Sequence, residues 1–242
     1  TITHISGKPG KKGADALEYR IMGTTMPLLE FTLNRGERIC AQSGAMKWMG
    51  SGIKMETTMA GGIGGALMRK LAGESAFLTY FTALEDGEKI AFGHTYPGHI
   101  IPVDLSQKSV VCQKRAFLCS FGDIKLDIAF QRRLGTGFFG GEGFIMQRLS
   151  GSGMAFVEID GESVELELAP GQSIKVETGA VGMYEESVSM DIETVKGFKN
   201  IFFGGEGLFL TVLTGPGKVW LQTMPIQGMV AELSSFLPQK SS

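Results

Sequence analysis

The sequence predicts an all-β fold made of three tandem copies of one module, and three observations predict it. A glycine-rich block recurs at a fixed distance. Apolar and polar residues alternate with a period of two. Glycines gather in short clusters between apolar runs. The block is Phe138-Phe139-Gly140-Gly141-Glu142-Gly143-Phe144, and it returns 64 residues on as Phe202-Phe203-Gly204-Gly205-Glu206-Gly207-Leu208. A degenerate third copy, Leu71-Ala72-Gly73-Glu74-Ser75, lies upstream. Internal repetition at such a period marks an architecture of stacked units.

The repetition extends to both sides of the block. Upstream, Leu33-Asn34-Arg35-Gly36, Leu105-Ser106-Gln107-Lys108 and Leu168-Ala169-Pro170-Gly171 align, which sets Cys40 on Cys112 and Lys175. Ile53-Lys54-Met55-Glu56, Ile124-Lys125-Leu126-Asp127 and Val188-Ser189-Met190-Asp191 follow in register, each alternating and ending on an acid. Downstream come Phe77 to Phe81, Ile145 to Leu149 and Phe209 to Leu213. Gly87, Gly153 and Gly217 then each stand three residues before a large apolar residue, Ile90, Phe156 and Trp220.

Within a copy, Val164-Glu165-Leu166-Glu167-Leu168 and Ile174-Lys175-Val176-Glu177 carry the alternation of half-buried strands. Gly161-Glu162, Pro170-Gly171 and Asp86-Gly87 read as the turns between strands. Val230 to Leu237, stopped before Pro238, reads as a short C-terminal helix. The expected organisation is a polar segment over residues 1–18 and one triplicated domain over 19–237. Its repeats span about 19–97, 98–160 and 161–224, and a tail covers 225–242. No Pro/Ser linker separates the copies, so the expectation is pseudo-threefold packing, with bare faces buried between copies and sheet edges covered.

Composition narrows the function classes. Of the 242 residues, 35 are Gly, about twice the usual share of ~7%, which serves turns rather than a collagen repeat. A net charge of -2 disfavours a nucleic-acid surface. The three cysteines, Cys40, Cys112 and Cys119, form no CxxC pair, which argues against a disulfide framework or zinc site and for a reducing compartment. The first residues carry Lys8, Lys11 and Lys12 and no apolar leader core, so a cytoplasmic location is expected. Met59 to Met68 is too short to cross a bilayer, which takes about 20 apolar residues.

The blocks around Gly-Gly-Glu-Gly, the stretch Gln42-Ser43-Gly44-Ala45-Met46 and the Pro170-Gly171 turn resemble the altered inheritance of mitochondria protein 24 family. The resemblance runs from about Tyr19 to Leu237. It implies a double-stranded β-helix module like that of the tryptophan RNA-binding attenuation protein, here triplicated. It also implies a link, through mitochondrial relatives, to inner-membrane organisation and mitochondrial biogenesis. It brings no active-site residues and no cofactor, and RNA binding would follow from fold analogy alone.

No catalytic or metal constellation emerges. The three histidines, His4, His94 and His99, are too few and too scattered for a cupin-type metal site. Ser43 lacks a nucleophile elbow, and Gly140 to Gly143 lacks the Lys-Ser/Thr of a phosphate loop. Glu74, Glu142 and Glu206 are candidate symmetric carboxylates, able to ring a cation or to cap their own turns. The candidate interface combines bases with paired aromatics: Arg69 and Lys70, then Arg132, Arg133, Phe138 and Phe139, then Lys199, Phe202 and Phe203. The phenylalanines either plug the core or form a rim suited to a membrane or an apolar partner. The expected function is a non-enzymatic binding or scaffold protein, homo-oligomeric and peripheral to a membrane or to a membrane-bound partner. A small-ligand site or enzyme in an end pocket is the alternative.

Overall fold

Period-two alternation in stretches of four to seven residues, broken by turn residues, leaves this chain little choice but strands. The computed structural model describes residues 4–5, 17–59, 77–93, 95–132, 143–194 and 209–236. The first run of strands is β1 (His4–Ile5), β2 (Glu18–Met22), β3 (Leu28–Leu33), β4 (Arg38–Gln42), β5 (Met46–Met49), β6 (Ile53–Met59), β7 (Phe77–Ala83) and β8 (Glu88–Gly93). The second is β9 (Gly98–Asp104), β10 (Val110–Gln113), β11 (Phe117–Arg132) and β12 (Phe144–Asp160). The third is β13 (Ser163–Leu168), β14 (Ser173–Glu177), β15 (Val181–Glu185), β16 (Ser189–Thr194), β17 (Phe209–Thr214) and β18 (Gly217–Gln222). A helix, α1 (Ile226–Ser235), follows. It begins four residues before the Val230 start read from the sequence, directly after Pro225, whose carbonyl accepts from the Met229 N–H at 3.3 Å. Proline has no N–H to lose at a helix start, so it suits that boundary.

All pairings are antiparallel. In the first run β8 lies between β3 and β5, while β7 lies between β4 and β6. In the third run β18 lies between β13 and β15, while β17 lies between β14 and β16. In the second run two long strands serve all these roles. The N-terminal half of β12 pairs with β10 and with the C-terminal half of β11; its C-terminal half pairs with β9 and with the start of β11. Two further pairings join the runs: β4 with β11, and β10 with β15. The result is a five-stranded sheet (β1-β2-β3-β8-β5), a ten-stranded sheet through the middle, and a three-stranded sheet (β14-β17-β16).

The long β11–β12 ladder bends where Gly122 stands opposite Gly153. Gly122 has φ +100, and a Cβ there would lie 2.4 Å from the Ser152 carbonyl oxygen; Gly153 has φ +143, and its Cβ would lie 2.1 Å from that of Phe121. Only glycine accepts both the backbone angle and the approach. Three buried clusters fill the spaces between sheets. Phe31, Phe92 and Phe156 pack edge to face in the first, with ring centres 5.9 Å apart for Phe31–Phe92 and 5.2 Å for Phe31–Phe156. Val103, Cys112, Phe117, Val157, Met183 and Trp220 belong to the second, and Val111, Phe144, Leu168 and Leu213 to the third.

One strand departs from its reading. β13 alternates as expected, yet Val164 and Leu166 are 43% and 37% exposed instead of facing a covering sheet.

Candidate interaction surface

The candidate segments issue from three antiparallel strand pairs. The last described rungs before them are Met59–Phe77 in β6–β7, Arg132–Phe144 in β11–β12 and Thr194–Phe209 in β16–β17. Among the twelve candidate residues, Arg132 alone falls within the described part. It is exposed, and its guanidinium donates to the Ile192 carbonyl at 3.0 Å, tying β11 to β16. Arg69, Lys70, Glu74, Arg133, Phe138, Phe139, Glu142, Lys199, Phe202, Phe203 and Glu206 lie outside the described residues. Phe144, at the Arg132 rung, is buried and sits 6.2 Å from Phe130, ring to ring.

Chemistry elsewhere is muted. Among the described residues no cluster of three or more His, Cys, Asp and Glu could hold a metal ion. His99 Nδ1 lies 2.9 Å from the Gly161 carbonyl, and its Nε2 lies 3.5 Å from Glu162, so this ring is engaged by the β12–β13 turn. Cys40, Cys112 and Cys119 form no disulfide; Cys112 and Cys119 are buried. Burial, then the charges of Glu158 and Cys40, pushes the Cys119 thiol well up, which removes the thiolate that reactivity needs. Burial likewise pushes Tyr184 up to about 12. The Lys218 ammonium, bonded to the Glu165 carboxylate, holds that carboxyl below its usual value, and the Trp220 indole N–H donates to the same group at 2.9 Å.

Two places on the described surface stand apart. On β5, Trp48 and Met49 are 40% and 36% exposed, and among the described residues β5 pairs on one side only, with β8. On β14, Ser173, Lys175 and Glu177 are exposed and Ile174 and Val176 half-buried, and among the described residues β14 pairs on one side only, with β17. The exposed Val164 and Leu166 of β13 belong to the same third run as β14. Sequence reading did not single out β5, because nothing in Met46-Lys47-Trp48-Met49 distinguishes a strand with one neighbour from a strand with two. On α1, Val230, Leu233 and the following Phe236 are also exposed.

An all-β protein of several antiparallel sheets with one short helix near the C-terminus is the class these features define. The family model described as Mitochondrial biogenesis AIM24 matches residues 19–224, and the chain belongs to that family. An uncharacterized protein of Streptococcus pyogenes serotype M6 is 28% identical over 226 residues, covering 89% of each chain. An X-ray structure of a Streptococcus pyogenes protein superposes with a TM-score of 0.73 at 23% identity, covering 91% of this chain and all of that one, and supports the fold alone. Among the described residues, no helix is long and apolar enough to cross a membrane.

Proposed function

We propose that this protein is a non-enzymatic scaffold of three tandem, attenuation-protein-like modules, about 19–97, 98–160 and 161–224, and that it meets a membrane surface or membrane-bound partner through its glycine-rich segments. The observation that carries the reading is the common position of those segments. Each connects the two strands of one antiparallel pair, β6–β7, β11–β12 or β16–β17. In each run that pair is flanked by the same further pairing, with β4, β10 or β14. This supports reading the bases of the three segments, joined by paired aromatics in the second and third, as one recurring feature of the module: Arg69 and Lys70, Arg132 to Phe139, and Lys199 to Phe203. Basic and aromatic groups together suit an anionic interface, where the cation meets headgroups and the ring meets the acyl boundary.

A repeated strand irregularity supports the modules. β5, β11 and β15 each slip register by one residue against the neighbour that covers them, between Met46 and Trp48, Phe117 and Cys119, and Val181 and Met183. A closed threefold arrangement, the form the sequence suggests, needs a third pairing of the kind made by β4 with β11 and by β10 with β15. Its strands would be β14 and β5.

Co-sedimentation with liposomes tests the membrane part. Pelleting with anionic vesicles, reduced by salt and by the combined substitutions Arg132→Ala and Arg133→Ala, is the expected result. Protein that stays in the supernatant with neutral and anionic vesicles alike contradicts it.

A further inference from the structure

Among the described residues β14 and β5 each have a partner on one flank, and two pairings between the runs, β4 with β11 and β10 with β15, show how such flanks meet elsewhere in the chain. In the first junction Ile39, Cys40 and Ala41 of β4 stand opposite Phe121, Ser120 and Cys119 of β11. In the second, Val110, Val111 and Cys112 of β10 stand opposite Glu185, Tyr184 and Met183 of β15. The register is the same in both. Cys119 and Met183 each follow the one-residue slip described above, as Trp48 does in β5. Ile39 and Val110 each pair with a buried residue of the next strand, Phe81 and Leu149, and Ile174 of β14 pairs likewise with Leu213. The same register therefore sets Ile174, Lys175 and Val176 opposite Gly50, Met49 and Trp48.

Burial points to the same match. Trp48 and Met49 are exposed, but their counterparts Cys119 and Ser120, and Met183 and Tyr184, are all buried. Leu166 is exposed, but its counterparts Phe31 and Val103 are buried. The counterparts follow from pairing: Leu166 stands opposite Val219, Phe31 opposite Ile90 and Val103 opposite Ala155, and these partners pair in turn with Tyr184, Met49 and Ser120. At the first junction Phe31 packs in one cluster with Cys119 and Phe156. At the second, Val103 packs in one cluster with Met183 and Trp220. Leu166 and Val164 then await Trp48 and Ala91. Side-chain volume is kept by exchange, since the large residue sits on β12 or β18 in the built junctions and on β5 in the open one. The far edge of β3 is already covered by β2, which leaves β5 as the receptive strand of that sheet.

We infer that β14 and the Val164–Leu166 face of one copy receive β5 and Trp48 of a second copy, so that the chain assembles head to tail through a third junction like the two within it. The two surfaces differ, so the contact is heterologous, and it builds a closed ring or a filament. The inference rests on the three-module reading and is independent of membrane binding.

Cysteine pairing tests the register. Opposed residues of an antiparallel pair have Cα atoms about 4.5–5.5 Å apart, inside the roughly 4.4–6.8 Å that a disulfide spans. Met49→Cys and Lys175→Cys are made singly and together, each with Cys40→Ser, and treated with diamide. A mixture of the single variants should give a covalent dimer, and the double variant a ladder of multimers. A double variant whose disulfide closes within one chain keeps the modules and overturns the assembly between copies. Absence of any cross-link overturns the junction. Sedimentation velocity on the unmodified chain is the second reading. A mass that is a multiple of 26.0 kDa, lowered by Trp48→Glu, is expected. A 26.0 kDa species at every concentration overturns the proposal.

Discussion

The junction of β10 with β15 and the edge of β14 set two short strands side by side, each with a partner strand on one flank. They differ in pattern: β10 reads Val-Val-Cys-Gln, while β14 alternates as Ser-Ile-Lys-Val-Glu. On the other flank β10 meets β15, and all four of its residues are buried. Side chains reinforce that contact. Lys108 pairs with Glu185, Arg148 lies 2.7 Å from Glu186, and Gln113 Nε2 donates to the Gly179 carbonyl at 2.9 Å. On β14 the corresponding flank is open, and the strand presents Ser173, Lys175 and Glu177 to solvent. Lys175 there pairs with Glu193 of its own sheet at 2.6 Å. The contrast teaches that a continuous apolar strand goes with neighbours on both flanks in this fold, while an alternating one goes with a neighbour on one flank.

The comparison breaks most visibly at a filled junction. Phe156 contacts Phe31 and Tyr19 across the first one, with ring centres 5.2 and 5.0 Å away. Phe156→Ala should cost about 3–5 kcal/mol, read from the midpoint of urea unfolding. Trp48→Ala should leave the monomer's midpoint almost unmoved, since its ring is partly in water already. A second cut removes a polar tie. The Gly179 carbonyl accepts from both Gln113 and Gln222. Gln113→Ala should cost about 1–3 kcal/mol, because buried polar groups lose a partner.

The bend in the long ladder gives the next effect. Gly122→Ala forces a side chain onto φ +100 and against backbone, and a loss above about 1 kcal/mol is expected in the same unfolding assay. This bend also marks where the sequence was hard to read. Gly151 and Gly153 look like breaks between separate strands, yet β12 runs through them, because positive φ lets a strand twist sharply without ending. Turns were legible: Gly171 and Gly87 take φ +76 and +78 where Pro170-Gly171 and Asp86-Gly87 predict them. Register was less so. Aligned blocks set Cys40 on Cys112, while strand pairing makes Val111 its counterpart, since the connection before β10 is one residue shorter when counted from Leu105 than the one before β4 counted from Leu33. A one-residue slip exchanges faces, so Cys112 points into the core and Cys40 does not. Sequence points to the basic-aromatic segments as a candidate interface, and apart from Arg132 their candidate residues lie outside the described part. It missed the β5 and β14 edges, because a missing neighbour leaves no local trace in composition.

Titration separates the buried side of the second junction from solvent. Tyr184 is held up at about 12 by burial, above its ordinary value near 10. Burial disfavours the phenolate, so its contribution to stability is whole below pH 10 and is lost as pH rises through about 12. Absorbance at alkaline pH should show this tyrosine ionising late and together with unfolding. The smallest effect belongs to exposed charge: Lys54→Ala, which breaks a solvent-facing pair with Glu56 at 2.8 Å, should leave the midpoint of urea unfolding unmoved.

The central claim is that the edges of β5 and β14 are the same joint as β4–β11 and β10–β15, left open within one chain. Amide hydrogen exchange followed as a function of protein concentration tests it most directly. Protection at Met49 and Lys175, whose N–H groups alternate away from β8 and β17, should climb with concentration toward the level of Val111, which faces β15. Fast exchange at those two residues at every concentration, beside slow exchange at Val111, would contradict it.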